Sequence, residues 1–382
     1  MFAFMACFFS TKSMTMQNTY DTMIPVETGQ DLSYFIRLEN DFQALSDAVT
    51  SLGKPYARIA IITDSNVAPL YLKEAERALS GTGAAVSSLV LPAGEEHKNL
   101  DSIDNIYQFL IDQQLDRNDL LAALGGGVIG DMTGFAAATY LRGIDFIQLP
   151  TTLLADVDSS IGGKTGVDYH SYKNMVGAFK QPRLVYMNLS VLRSLPERQF
   201  STGMAEIIKH ACIMDEEYLT FLEANQARIW GMDPDCLLPM IRQSLLIKKK
   251  VVEEDPTEKG IRAILNFGHT LGHALEKESG FTLTHGEGVS LGTCGALFIS
   301  HEKGLLSKED CLRVEWLLQA YHLPVRYQDF STEQVLAATL HDKKRSGKSL
   351  RFILLDRLGQ ARIDTSVTQE EMRGALEYLK AE

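Results

Sequence analysis

Leu120-Leu-Ala-Ala-Leu124-Gly125-Gly126-Gly127-Val128-Ile-Gly130-Asp131 is the stretch on which the fold turns. Its five leading apolar residues do not alternate with polar ones, the mark of a strand buried on both faces in a parallel sheet. They run straight into a glycine-rich turn, which opens a helical segment over Met132–Tyr140. Such a strand–turn–helix joint lets backbone N–H groups approach a pyrophosphate at the helix N-terminus. The pattern is GGGxxGD, not GxGxxG, so its weight comes from this structural context.

On either side lie further α/β units. Arg58-Ile-Ala-Ile-Ile-Thr63 predicts another buried strand, ending in Asp64-Ser65-Asn66. A carboxylate there suits a ribose hydroxyl and equally an ordinary helix cap. Ala85–Leu91 predicts a strand, Pro92-Ala-Gly-Glu95-Glu-His-Lys98 its loop, and Leu100 to Leu115 an amphipathic helix. Ile144–Leu149 and Leu184–Met187 predict two more strands, the first followed by Pro150-Thr151-Thr152-Leu153-Leu154. Between them the chain is dense in small and polar residues: Asp158-Ser-Ser-Ile-Gly162-Gly163-Lys164-Thr165-Gly166, then Lys173-Asn174-Met-Val-Gly177. Glycine-framed lysines flanked by apolar segments suggest an anion cradle.

From Leu189 the pattern is mostly helical. Ala205-Glu206-Ile-Ile-Lys209-His210 groups Glu206, Lys209 and His210 along one helix. Helices continue over 215–253, where Lys248-Lys249-Lys250 reads as a solvated face whose members spacing does not separate. Then comes Arg262-Ala-Ile-Leu-Asn266-Phe-Gly-His269-Thr-Leu-Gly-His273-Ala-Leu-Glu276, and a loop ending His285-Gly286-Glu287. Histidines four apart on a helix offer two imidazoles to one divalent metal. His285 could close on the same point, and Glu206 is the candidate carboxylate. Helices follow at 288–303, 308–321 and 332–341, then a hairpin from Leu350 and a last helix opened by a capping box, Thr368-Gln-Glu-Glu371.

The fold class is therefore α/β plus α: a Rossmann-like NAD-binding domain over 24–190, and a mostly helical metal- and substrate-binding domain over 191–382. The apolar start Met1–Phe9 lacks the basic segment of a secretory signal. Residues 1–23 read as a disordered tail or an over-long start, with Met14 or Met16 as alternatives.

The 382 residues suffice for two domains, and 45% hydrophobic with 23% charged residues is a globular balance. A net charge of −12 argues against a nucleic-acid partner, and no apolar run reaches membrane-span length. Five dispersed cysteines without a CxxC suggest reduced thiols and a cytoplasmic setting.

A nicotinamide cofactor beside a metal predicts redox chemistry at an alcohol, with the metal as Lewis acid. Arg142, Lys164, Lys173, Lys209, Arg262 and the Lys343–Lys344 pair suit a small phosphorylated acid. Gly125–Asp131, Tyr140–Gly143, Pro150–Leu153, Asp158–Gly166, Lys173–Gly177, Leu195–Arg198, Ala205–Lys209, Asn266–His273 and His285–Glu287 occur in an order that resembles the sugar phosphate cyclases. The resemblance runs from about residue 24 to 380. It implies conversion of 3-deoxy-D-arabino-heptulosonate 7-phosphate to 3-dehydroquinate and phosphate, with NAD consumed and regenerated in each turnover, in aromatic amino-acid biosynthesis. It implies Zn2+ or Co2+ on Glu206, His269 and His285, which makes His273 a polar contact near the phosphate and not a ligand. It further implies an NAD set of Asp64, Asn66, Glu95, Lys98, Gly126, Gly127, Val128, Asp131, Thr151, Thr152 and Leu154, extended by Asp158, Lys164 and Lys173. Substrate contacts by the same resemblance are Asp158, Lys164, Lys173, Asn174, Lys209, Lys248, Arg262, Asn266, His273 and one lysine of the pair, Lys343 or Lys344. Arg142 would join them from the partner subunit of a homodimer. Lys164, Lys209, Glu258, Asn266 and His273 form the expected catalytic group, with Glu258 in proton transfer. One stretch departs from the pattern: Asp168-Tyr-His-Ser-Tyr172 stands where Asn-His-Pro-Leu-Gly is usual.

Rival readings are a cyclase making an inosose, a valiolone or an amino-dehydroquinate, a metal-dependent alcohol dehydrogenase, and an inactive NAD-binding regulator. Lys248 and Arg262, as partners for a substrate carboxylate, weigh against cyclases of non-acidic sugars. The intact Glu206, His269 and His285 set weighs against a regulator.

Overall fold

The computed structural model describes residues 22–28, 33–170, 172–256, 258, 260–280, 282–346 and 351–381. Nearly all of the expected N-terminal tail lies outside them. Nine strands form the first half: β1 (Met23–Val26), β2 (Tyr34–Glu39), β3 (Arg58–Asp64), β4 (Ala85–Leu91), β5 (Leu120–Gly125), β6 (Asp145–Pro150), β7 (Lys164–Tyr169), β8 (Tyr172–Phe179) and β9 (Leu184–Asn188). Seven of them make one sheet, in the order β1-β2-β9-β6-β5-β3-β4. All neighbours pair in parallel except β1, which lies antiparallel on β2.

The unbroken apolar runs are explained by the two faces of this sheet. Successive side chains of a strand point to opposite sides. Ile59, Ile61, Leu120, Ala122 and Leu124 pack into one core, and Ala60, Ile62, Leu121 and Ala123 into the other. Chain order reverses between β3 and β5, so the loops after Asp64 and Gly125 flank a switch point, where open α/β sheets bind ligands.

The small, polar stretch read as a loop-like cradle is a hairpin. β7 and β8 pair antiparallel with Tyr169 opposite Tyr172. Only β7 buries a clear face, through Thr165 and Val167, while β8 is largely exposed. The polar, half-solvated β8 carries no alternation for the sequence to announce. The hairpin lies along the Gly127–Thr139 helix, where a Cβ on Gly134 would come within 2.4 Å of Thr165.

The second half packs helices Glu197–Met214, Pro234–Glu254, His269–Glu278, His285–Glu302, Lys308–Ala320, Thr332–Ser346 and Gln369–Lys380 around a small hairpin of β10 (Phe352–Arg357) and β11 (Gln360–Asp364). One large core joins them to the sheet through Val26, Ile36, Leu38, Val185 and Met187. Thr368 and Glu371 form the expected capping box. Thr284 and Glu287 form a second one, so His285 begins a helix instead of ending a loop.

Two helices cross through glycine. A Cβ on Gly292 would lie 1.7 Å from the carbonyl oxygen of Gly268, and one on Gly272 would lie 2.6 Å from that of Gly288. Only residues without side chains permit so close a backbone approach. Gly268 also turns left-handed, at φ 78°, directly before His269. This crossing fixes where the histidines of both helices meet.

Candidate active site

The residues expected around a dinucleotide collect on one edge of the sheet, where the parallel strands end. Asp64 closes β3, Gly126 and Gly127 follow β5 and lead into Val128, and Thr151, Thr152 and Leu154 follow β6. None of Gly125, Gly126 and Gly127 has a positive φ. Their role is space: a Cβ on Gly126 would lie 3.1 Å from Thr152 and one on Gly127 2.9 Å from Ser159. Thr151 Oγ1 is buried with no partner, a hydroxyl left for a ligand. Asp64 also serves its own loop, as Oδ1 accepts from the N–H groups of Asn66 (2.8 Å) and Val67 (3.0 Å). Lys98 donates to Asp131 at 2.6 Å and to Asn174 at 2.5 Å, tying the loop after β4 to the glycine helix and to β8. Burial pushes the Asp131 carboxyl up to about 6, against the pull of Lys98.

Facing this edge, Glu206 projects from the Glu197–Met214 helix and is fully buried. Its Oε1 lies 3.6 Å from His269 Nε2 and 3.5 Å from His285 Nε2. His269 Nδ1 sits 3.0 Å from the Phe267 carbonyl, and His285 Nδ1 sits 3.1 Å from Glu276 Oε1. Each partner can accept a hydrogen bond from Nδ1–H, which turns Nε2 toward Glu206, the orientation a metal ligand needs. Glu206 Oε1 is buried and has no hydrogen-bond donor, while Oε2 accepts from Lys209. The donor set thus fits a divalent cation such as Zn2+. Burial raises the Glu206 carboxyl, but Lys209 and both imidazoles hold it well below the usual range. Burial works against a charge on His285, yet Glu206 and Glu276 hold that ring up at about 10, a proton a bound cation would displace.

His273 lies one turn beyond His269, exposed, with ring centroids 4.9 Å from His269 and 5.7 Å from His285. A second cluster, Asp158, Glu206 and His210, also has ligand atoms within 4.8 Å of one another. Lys248 and Lys209 already sit on its carboxylates, which disfavours another cation. His210 is held neutral, pushed down to about 3 by burial and Lys209.

Buried cations line the junction. Lys209, Lys248 and Arg262 are 2%, 4% and 3% exposed. Lys248 donates to Asp158 Oδ1 at 2.5 Å. Arg262 donates to the carbonyls of Pro256 (2.9 Å) and Gly162 (3.4 Å). Gly162 has a φ of 95° and leaves no room for a Cβ beneath that guanidinium. Lys164 pairs with Glu258, which also accepts from Asn266 at 3.3 Å. Burial opposes the charge on Glu258, yet Lys164 and Asn266 hold its pKa below the ordinary value. Lys173 lies between Glu95 (3.8 Å) and Glu276 (3.7 Å).

Arg142 is not brought to this junction. It is exposed just past the C-terminal end of the Gly127–Thr139 helix, roughly 20 Å along the axis from the glycine turn. Lys343 lies on the Thr332–Ser346 helix, and its side chain is outside the described residues. Sequence reasoning passed over Glu276. Its spacing of seven from His269 and three from His273 places it on their helix face, which was the available signal.

A strand-edge cradle opposite a carboxylate–imidazole cluster and three buried cations can support metal-assisted redox chemistry on an anionic alcohol. Family models described as 3-dehydroquinate synthase N-terminal and C-terminal match residues 88–202 and 203–345. A 3-dehydroquinate synthase of Acetivibrio thermocellus is 44% identical over 344 residues, 90% of this chain and 95% of that one. The chain belongs to the 3-dehydroquinate synthase family. Among solved structures, 2-epi-5-epi-valiolone synthase from Streptomyces hygroscopicus with NAD+ and Zn2+ bound is similar, with a TM-score of 0.85, 26% identity, and coverage of 92% of this chain and 98% of that one. A 2-deoxy-scyllo-inosose synthase complexed with carbaglucose-6-phosphate, NAD+ and Co2+ gives 0.82 and 27%, over 94% and 100%.

Proposed function

We infer that this chain converts 3-deoxy-D-arabino-heptulosonate 7-phosphate to 3-dehydroquinate and phosphate by a transient NAD-dependent oxidation assisted by a divalent metal, and that its class is phosphorus–oxygen lyase. The observation that carries this reading is the placement of Lys209, Lys248 and Arg262 beside Glu206, His269 and His285. Similar solved structures hold NAD+ with Zn2+ or Co2+, which supports the same cofactors here.

When bound, the metal supplies Lewis acidity and NAD a reversible hydride acceptor. Glu206, His269 and His285 would hold the metal. The loops around Asp64, Asn66, Glu95, Lys98, Gly126–Val128, Asp131 and Thr151–Leu154 would hold NAD, with Asp158, Lys164 and Lys173 at the nicotinamide end. Lys248 and Arg262 would bind the substrate carboxylate and Asp158 a hydroxyl. Lys164, Lys173, Asn174 and His273 would bind the phosphate side, with Lys343 from the adjoining helix. Glu258, held ionised by Lys164 and Asn266, can accept a proton and return it. Lys209 keeps Glu206 charged. Oxidation acidifies the carbon next to the new ketone, so phosphate can leave by β-elimination. Re-reduction, ring opening and aldol closure then follow.

The division at 190/191, a homodimer and a cytoplasmic setting belong to the same proposal. The position of Arg142, remote from its own junction, supports the homodimer. Among the described residues Cys212, Cys236, Cys294 and Cys311 are buried free thiols, which fits a reducing compartment, and no helix there is long and apolar enough to cross a membrane.

The test is an assay of metal-loaded protein with NAD and the heptulosonate phosphate. Phosphate release without net NADH is expected, with dehydroquinate identified by mass. NADH accumulation without phosphate release would show a dehydrogenase instead.

A further inference from the structure

Glu276 belongs to neither the sheet-edge set nor the candidate ligands, yet it touches groups from both. Its side chain is 4% exposed. Oε1 accepts from His285 Nδ1 at 3.1 Å, and Oε2 lies 3.7 Å from Lys173 Nζ on β8. The other helix leaves space for this carboxylate. A Cβ on Gly288 would lie 2.7 Å from Glu276 Cγ and 2.8 Å from Oε1. Gly288 has no positive φ, so what its missing side chain provides is the seat.

We propose that Glu276 is a positioning residue that fixes His285 as an Nε2 ligand, with its own carboxylate held in place by Lys173 and by the space above Gly288. The proposal rests on the metal reading above. An imidazole can present either nitrogen, and its ring can turn about the Cβ–Cγ bond. A carboxylate on Nδ1 keeps the proton there, stops that rotation and makes Nε2 a stronger donor. His269 gets its orientation from the backbone of its own entry turn, at Phe267. Among the described residues no carbonyl does this for His285, which starts a helix, and the contact that orients its Nδ1 comes from Glu276 on another helix.

The experiment measures Zn2+ dissociation constants on the full chain by competition with a chromophoric chelator, together with the visible spectrum of the Co2+-loaded protein. Wild type, Glu276→Gln and Gly288→Ala are compared, each with its metal-free unfolding midpoint. Glu276→Gln keeps a hydrogen-bond acceptor and removes the charge. Gly288→Ala leaves Glu276 in the sequence and displaces its carboxylate. Both are expected to weaken Zn2+ binding about 10- to 100-fold and to alter the Co2+ bands. Wild-type dissociation constants and Co2+ bands in both folded variants would overturn the proposal, as would a loss confined to the unfolding midpoint. A wild-type chain that takes up no Zn2+ would overturn the metal reading on which it rests.

Discussion

Lys248 Nζ lies 2.5 Å from Asp158 Oδ1, although 90 positions separate them in the chain. The contact joins the Pro234–Glu254 helix to the polar turn after β6. Burial pushes the Lys248 ammonium down from its ordinary value. It also pushes the Asp158 carboxyl up, but Lys248 overrides that and holds the carboxyl below the usual range. Under the proposed function, a substrate carboxylate arriving here would meet a cation that already has a partner, and recognition would be an exchange of partners.

Lys248→Met is therefore expected to raise KM strongly and to lower stability, because it strands a partly buried carboxylate. Removing one member of a buried pair costs about 3–5 kcal/mol. Asp158 retains some exposure, so the lower end is expected. Adding Asp158→Asn should recover part of the loss. Urea unfolding of the two singles and the double reads the coupling directly.

Stripping the metal should lower the melting temperature, since a cation on Glu206, His269 and His285 would bind the folded chain and not the unfolded one. A ligand at a thousand times its dissociation constant stabilises by about 4 kcal/mol. Melting with and without chelator is expected to show a clear drop that Zn2+ reverses. Glu206→Gln should abolish the response.

The Asp131 carboxyl titrates near 6 in the folded protein, against an ordinary 3.8. The folded state therefore binds this proton more tightly than the unfolded chain. The contribution is most favourable below about 4 and is lost as pH rises through about 6. The swing is on the order of 3 kcal/mol at most. Asp131→Asn should shift the stability curve by an offset from the lost Lys98 pair and flatten its slope between pH 4 and 6, read by urea midpoints across that range.

Gly292→Ala would bring a methyl against the Gly268 carbonyl at the helix crossing. Overpacking of this kind costs typically about 1–3 kcal/mol. Because the crossing also sets the distance between His269 and His285, Zn2+ affinity should fall with stability. A surface control such as Gly304→Ala, where a Cβ meets nothing within 4 Å but φ is 70°, should lower stability alone.

Arg142→Ala should depress activity if the partner subunit supplies this residue. Mixing it with a Lys209→Ala chain should then restore activity, because one junction in each mixed dimer keeps both residues. No recovery after confirmed subunit exchange would place Arg142 outside the active site.

Much of the fold lay in local patterns. The non-alternating runs at Arg58–Thr63 and Leu120–Leu124 foretold strands buried on both faces, because period two divides such a run between two cores. The turn after Leu124 marked the ligand edge, and Thr368 with Glu371 marked a helix start. The hairpin of β7 and β8 was not legible, since a mostly solvated strand needs no apolar alternation. The second capping box, Thr284-His-Gly-Glu287, carries the same Thr-x-x-Glu signature, but the histidine it encloses also reads as the end of a loop that closes on a metal.

The candidate site divides along the same line. The chain by itself determined which chemical groups are available: two histidines at helical spacing, a third after a turn, one carboxylate on an earlier helix, and many lysines. Tertiary structure alone decided which of them act together. The Lys248–Lys250 run is uniform in sequence, yet packing buries Lys248 against Asp158, pairs Lys249 with Glu253 and leaves Lys250 exposed. Glycine contacts between Gly268 and Gly292, and between Gly272 and Gly288, bring Glu276 to His285, and the approach of Gly286 to the Thr202 backbone brings His285 to the Glu206 helix. Helical spacing is a short-range property that local sequence states. The approach of two backbones depends on missing atoms in both, and no single segment records it.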